Sequence, residues 1–385
     1  MKIFISFFLN FIFVFCVYGQ SYITIKVIDN ESNKPISNAR LLSQNKIFYT
    51  NDDGNVLVSS GTKVAIVSAN SYEEVKVTFP LSVVKLKPIY KEIAEVIIQN
   101  IDTKKIIENV LINYDKNYFI KPTLYFGTYK SKSFIDENIH KLLIADMKIW
   151  ALNNKFINDK NIDNYIQIGL NSIRFYKNRK TENNYPYSRK GIRDKNDINS
   201  FLSRIFMYNQ LYLMSYYTKN LKINGRVINE TGDIQEILFK SENMADDVLY
   251  YEGKMIYNKK DNAIAYLEVN QIQRKAIRKY KNTFDEDIET NTNNFIISYD
   301  FVKENGKYII SKINTNYLAD LLYKSQSHSA TVSEEFIFQT HLENKKGITN
   351  KIDVTKDIID NISNNEVKEN KTLLSSEEQN FIDEH

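Results

Sequence analysis

The chain has 385 residues, room for two domains with their own cores, and a formal net charge of only +4, too small a basic excess to mark a nucleic-acid partner. Its 26 Tyr and 22 Phe against 11 Gly and 5 Pro favour sheet over a disordered chain. A single cysteine, Cys16, excludes a disulfide framework and a thiolate metal cluster.

Lys2 followed by the apolar run Ile3 to Val17, broken only by Ser6 and Asn10, reads as a secretory signal peptide over residues 1–19. Val17 and Gly19 suit the −3 and −1 positions, so cleavage is expected before Gln20. A membrane anchor is the alternative, but the run falls short of the roughly 20 residues that a spanning helix needs. Cys16 follows Phe13-Val14-Phe15, a poor acylation site, and the mature chain would contain no cysteine.

Residues 20–98 form the most legible stretch. Short β-rich runs (ITIKVID, RLLSQ, KIFYT, VLVSS, VAIVSA, EEVKVTF, VVKLKP) alternate with turns rich in Asn, Asp, Gly and Pro, as in a small sandwich. Pro35 fixes a turn, Ile36 and Ala39 return to the core, and Gly54 supplies the positive φ that closes the Asp52-Asp53 turn. In Lys34-Pro35-Ile36, Asn38-Ala39, Thr50 to Gly54, Ser68 to Tyr72 and Val84 to Pro88 with Glu95 to Ile98, this segment resembles the carboxypeptidase regulatory-like domain. That family is a transthyretin-like sandwich common in envelope proteins of Bacteroidota. Lys26 and Ser71 stand where it often has glycine. The resemblance implies an accessory domain and an envelope location, and it carries no peptidase activity, because the zinc motif is missing.

Residues 99–122 read as a helical connector. Asp102 or Thr103 can cap a helix to about Tyr114, with Ile106, Ile107, Val110, Leu111 and Tyr114 on one stripe. From 123 to 347 long strands with period-two alternation predict an antiparallel domain. In KLLIADMKIWAL, Leu143, Ala145, Met147 and Ile149 share a face opposite Asp146 and Lys148. Turns at Asn258 to Asn262 and at Asn305-Gly306 predict consecutive hairpins. The expected fold is mainly β with a few helices: an N-terminal β-sandwich plus a larger curved antiparallel sheet or open half-barrel. A helical insertion near 197–217 would lay Phe201, Leu202, Ile205 and Phe206 over the concave face as an apolar lid, an architecture similar to the lipoprotein-sorting carriers. Residues 348–385 read as a polar, flexible tail.

Chemistry is sparse. His140, His328, His341 and His385 fit no zinc motif, and nucleophile-elbow, phosphate-loop and dinucleotide glycine patterns are absent, so no catalytic residue, metal or cofactor is expected. Asp52-Asp53 reads as a turn, and Asp285-Glu286-Asp287 with Glu289 as a solvated loop paired with the basic run from Arg274 to Lys281. The one candidate anionic-ligand patch is Arg174, Lys177, Arg179, Lys180, Arg189, Lys190 and Arg193, interleaved with Phe175, Tyr176, Tyr185 and Tyr187. Export excludes nucleic acid and points to an anionic headgroup, with a solvated insertion loop as the plainer reading. The expectation is therefore a non-enzymatic exported protein of the periplasm or outer-membrane periphery, a binding or assembly module. Its partner would be another envelope protein, with peripheral membrane contact. The alternative is a carrier of a lipid or other amphiphile, and an uncatalogued hydrolase using carboxylate pairs is the third reading.

Overall fold

The structure is a computed structural model that describes residues 22–44, 46–89, 99–155, 164–179, 201–202, 204–243, 249–282, 284–353, 358, 361 and 373–384. The predicted signal peptide lies outside them. The chain divides into two compact units, Met1–Tyr90 with Thr372–Ser376, and Lys91–Lys371 with Glu377–His385.

The first unit is a β-sandwich. One sheet runs β4 (Asn55–Ser59), β1 (Tyr22–Asp29), β7 (Val83–Leu86), with β1 and β7 parallel. The other runs β3 (Lys46–Tyr49), β2 (Arg40–Ser43), β5 (Val64–Ser68), β6 (Val75–Thr78), antiparallel throughout. Alternation puts Ile25, Val27, Leu41, Val56, Val58, Val67, Val84 and Leu86 into one core. The turns behave as their residues dictate. A Cβ on Gly54, φ +74°, would stand 2.7 Å from the Val27 carbonyl oxygen, so only glycine fits. The Thr50 hydroxyl accepts from Ala39 N–H at 2.9 Å and donates to the Ile36 carbonyl at 2.7 Å, which closes the Pro35 turn from inside the core. Ser71 holds φ +69°, the left-handed geometry that makes glycine the easier residue there.

The second unit is built on an open, curved sheet of eleven strands. Its order is β11 (Ile166–Asn178), β10 (Asn138–Ala151), β9 (Thr123–Ile135), β18 (Gln326–Glu343), β17 (Lys307–Tyr323), β16 (Asp287–Glu304), β15 (Ala263–Lys281), β14 (Leu249–Asn258), β13 (Ile234–Ser241), β12 (Ile223–Thr231), β8 (Gln99–Asp102). Every neighbouring pair is antiparallel. Register shifts interrupt seven of the ladders, among them Asp300/Phe301 and Phe338/Thr340, and such bulges bend strands this long. Asn305 and Gly306, φ +48° and +79°, make the two-residue turn between β16 and β17 that Asn-Gly predicts.

Helices fill one face of this sheet. Asp102 caps α1 (Thr103–Ile112) by accepting from Lys105 N–H at 3.2 Å, and Ile107, Val110 and, in α2 (Tyr114–Asn117), Tyr114 point into the core. The Lys104 ammonium reaches the carbonyls of Thr218 and Lys219 at 2.9 and 2.5 Å. It thereby satisfies the C-terminal end of α3 (Met207–Tyr217) where a cation is favoured. Tyr118 donates to the Ile264 carbonyl at 2.9 Å and accepts from Ile264 N–H at 2.7 Å, deep in the same core.

Three expectations need restating. Residues 99–122 do not merely connect: β8 extends the large sheet by pairing with β12, and α1 and α2 supply its core. The helical insertion near 197–217 is broken in two: Phe201 and Leu202 are helical, residues 204–206 turn, and a second helix begins at Met207, while 197–200 and 203 lie outside the described residues. The polar tail contains α4 (Ser376–Asp383), in which Glu378 and Phe381 are buried, because its polarity is spent on internal ion pairs.

Candidate functional site

The predicted lid residues are core. Phe201, Leu202, Ile205 and Phe206 are each at most 2% exposed; Phe201 lies edge-on to Tyr129 at 5.4 Å and Phe206 near Tyr125 at 6.5 Å. They are packed against the sheet. A carboxylate joins this layer, for Tyr129 donates to Glu334 at 2.5 Å and Thr315 lies 3.5 Å from its other oxygen.

The described members of the basic patch are engaged inside the second unit. Arg174 grips Asp146 across β10 and β11, Nε to Oδ2 at 2.9 Å and Nη2 to Oδ1 at 2.6 Å. Lys177 donates to the Phe381 carbonyl at 2.7 Å and to that of Glu384, and its ammonium stands 5.0 Å from the Phe381 ring. Arg179 pairs with the Glu384 carboxylate and also covers that ring. Asp146 and the end of α4 thus engage the three described cations of this patch. Lys180, Arg189, Lys190 and Arg193 lie outside the described residues. The expected pairing of the acidic loop with the basic run is present as cross-strand bridges, Lys281 to Asp287 at 2.8 Å and Lys279 to Glu289 at 3.1 Å.

The arrangement with unused binding capacity is a groove of about 580 Å³ on the sheet's opposite face, lined from β8 and from β12 to β16. It is made by register. One cross-strand row reads Asn100, Arg226, Leu238, Lys254, Glu268, and a second reads Asn224, Lys240, Glu252, Asn270, Ile296. Between them Gly225, Phe239 and Gly253 pair as a third row, their backbone forming the floor. Residues two apart on a strand share a face and sit about 7 Å apart, and strands are spaced by about 5 Å, so the rows form the banks of a shallow trough roughly 19 Å long. The glycines answer the inner face, where a Cβ on Gly253 would meet Phe239 at 2.7 Å and one on Gly225 would meet Thr103 at 2.1 Å.

Several charges in the trough are compensated. Lys254 bonds Glu236 at 2.5 Å, Lys240 lies 3.9 Å from Glu252 and over the Tyr250 ring, and Tyr266 donates to Glu268 at 2.9 Å. Burial, then the Glu268 charge beside it, raises the Tyr266 phenol far above its ordinary pKa, so it remains a donor at every physiological pH. Against these stand Arg226, Asn100, Asn224 and Asn270, whose side chains have no partner among the described residues. The Asn270 amide oxygen is fully buried and unsatisfied, a state that costs about 1–3 kcal/mol when nothing bonds it. Glu252 and Glu268 rise from the same sheet face on neighbouring strands.

No local pattern announced this trough. Its members look like ordinary outward positions of alternating strands, and the register that aligns them is a long-range property. The available hint was compositional: Asn224-Gly225, Gly253 and Asn270 are residue types that strand interiors disfavour. Among the described residues no group of three or more His, Cys, Asp or Glu is placed to hold a metal ion, and no helix is long and apolar enough to cross a membrane.

No protein-family model matches the chain, and no curated protein matches it. Among solved structures it matches a candidate membrane-associated protein of unknown function from Bacteroides fragilis, at 9% identity over 83% of this chain and 97% of the other, with a TM-score of 0.15. A likeness at that score carries no argument about fold or activity.

Proposed function

We propose that this protein is an exported, non-enzymatic envelope protein whose large sheet is a binding module, with the trough over β12 to β16 as its binding surface. The signal peptide read from residues 1–19 and the resemblance of residues 20–98 to the carboxypeptidase regulatory-like sandwich support the envelope assignment. The observation that carries the binding role is the alignment of Arg226, Asn100, Asn224 and Asn270, all without partners among the described residues, along one trough. Native proteins satisfy buried polar atoms, so the Asn270 oxygen asks for an outside donor, and the exposed Asn100, Asn224 and Arg226 side chains present further bonding groups beside it.

An amphiphile carrier is the weaker reading. It needs an open apolar chamber, whereas Phe201, Leu202, Ile205 and Phe206 already fill the inner face. The test is a photo-reactive side chain placed at Leu238 in the trough, with one at exposed Ile112 as control, followed by irradiation in intact cells and fractionation. A covalent adduct in the envelope fraction at position 238, absent from the control, is the expected result. A chain that remains in the cytoplasm, or that forms no adduct at 238, overturns the proposal.

A further inference from the structure

We infer that the ligand of this trough is an uncharged or weakly charged oligosaccharide, an inference that rests on the binding-module reading above. Four features of the lining select that chemistry.

The charges are mixed and nearly balanced, three cations against Glu252 and Glu268 in the lining, with Glu236 neutralising Lys254 from outside it. A polyanion would meet as much repulsion as attraction there, which excludes polyphosphate and strongly acidic polymers. The free groups are amides and one guanidinium. An asparagine amide offers a donor and an acceptor side by side, which matches neighbouring hydroxyls that each donate and accept. The Asn270 oxygen is closed to water as placed; with the amide turned toward the trough it takes a donor, which a sugar hydroxyl supplies and a phosphate or carboxylate cannot.

Arg226 and Glu268 lie in one row three strands apart, roughly 14 Å at about 4.8 Å per strand. They can therefore address hydroxyls on different rings of an extended chain. Between the polar positions, Leu238 and Ile296 offer apolar surface to the C–H faces of rings. A shallow trough of this size lies within the roughly 300–1,000 Å³ typical of small-molecule sites and accommodates a short oligosaccharide lying flat. A lipid tail finds too little apolar wall. An extended peptide takes its backbone bonds from a sheet edge, and here it would lie across strands whose backbone groups are already paired.

The test uses the full chain without its first nineteen residues and a panel of neutral oligosaccharides: maltotriose, cellotriose, mannotriose and tri-N-acetylchitotriose. Trigalacturonic acid is the charged comparison. Binding is followed by calorimetry and by hydrogen exchange of β12 to β15. At least one neutral member binds and protects those strands; Asn270→Ala weakens it about tenfold and Arg226→Ala by tenfold or more, the size expected for one neutral and one charged hydrogen bond. Arg226→Ala keeps the parent's thermal midpoint, and Asn270→Ala keeps or raises it, because it removes a buried oxygen that nothing bonds. Failure of every neutral oligosaccharide to bind overturns the inference, as does binding that survives the Arg226→Ala, Asn270→Ala pair. An envelope extract separates the two levels of the argument. If it protects β12 to β15 while no saccharide does, the ligand class is wrong and the binding surface stands; if nothing protects those strands, both fall.

Discussion

Replacing Glu378 by Gln should release the C-terminal helix from the sheet. Glu378 is fully buried, its Oε1 is 2.8 Å from Lys130 and 3.3 Å from Lys132, and beside it Lys312 bonds Glu335 at 2.5 Å. The cluster therefore holds three ammonium groups against two carboxylates, and the substitution leaves three against one. Removing one partner of a buried pair costs about 3–5 kcal/mol. Lys130 and Lys132 retain 21% and 12% side-chain exposure, so water recovers part of that and about 2–3 kcal/mol is expected. At 1.36 kcal/mol per decade this is roughly a 30- to 150-fold rise in local opening. Native-state hydrogen exchange of the Phe381, Ile382 and Asp383 amides reads it directly, with exposed Glu377→Gln as the control. Unchanged protection in Glu378→Gln, or an equal loss in the control, would refute the reasoning that these ion pairs hold the helix down. Joint replacement by apolar residues, Glu378→Leu with Lys130→Met and Lys132→Met, should restore protection, because no buried charge is left unpaired.

Other consequences are as direct. Phe201→Ala removes a 1%-exposed ring from the layer over Tyr129 and should lower unfolding stability by about 3–5 kcal/mol in urea titration; a loss under about 1 kcal/mol would return this residue to the role of a lid. Tyr118→Phe strands both polar groups of Ile264 and should cost about 2–4 kcal/mol by the same measurement, with a near-zero effect meaning that the backbone finds other partners. Glu335 sets a pH dependence. Burial pushes its carboxyl up, but Lys312, Lys130 and Lys132 outweigh burial and hold its pKa below the ordinary glutamate value. Its contribution is thus complete above that ordinary value and lost as pH falls through the lower folded-state value. Urea midpoints taken from about pH 5 downward should fall less steeply in Glu335→Gln, and parallel curves for the two proteins would contradict the assignment.

What the sequence discloses is local. The period-two pattern of KLLIADMKIWAL places Leu143, Ala145, Met147 and Ile149 inward, each at most 1% exposed, and Asp146 outward against Arg174. Asn305-Gly306 and the Asp102 cap are legible because turn and cap chemistry involve only residues a few positions apart. Distant pairing is not. Nothing in Gln99 to Asp102 says that four residues will extend a sheet through β12, and nothing in SSEEQNFID says that a polar helix will be buried by lysines on strands some 250 positions earlier. The basic patch was visible as composition, but its acceptors, Asp146 and the end of α4, are supplied by the fold. For the trough, each side chain was readable as outward-facing, while the shared row was not, because one slipped residue in any ladder would scatter it.

The strand order also dictates a timetable. The sheet is two meanders, β9 to β11 and β12 to β18, sewn together along β9 and β18, where Ile135 meets Ala330 and Thr123 meets Glu343. Hairpins within each meander can zip as soon as they are made, but this seam joins residues 195 to 220 positions apart. Closing such a loop costs about 5 kcal/mol of chain entropy beyond a constant, so the seam forms after the hairpins on either side of it. Until then the β9 edge, with Tyr125 and Tyr129 beside it, is an open template for any passing strand. A product truncated before Ala330 never loses that edge. A break between Asn178 and Met207 leaves each meander whole, so the two fragments carry everything the seam needs to reunite.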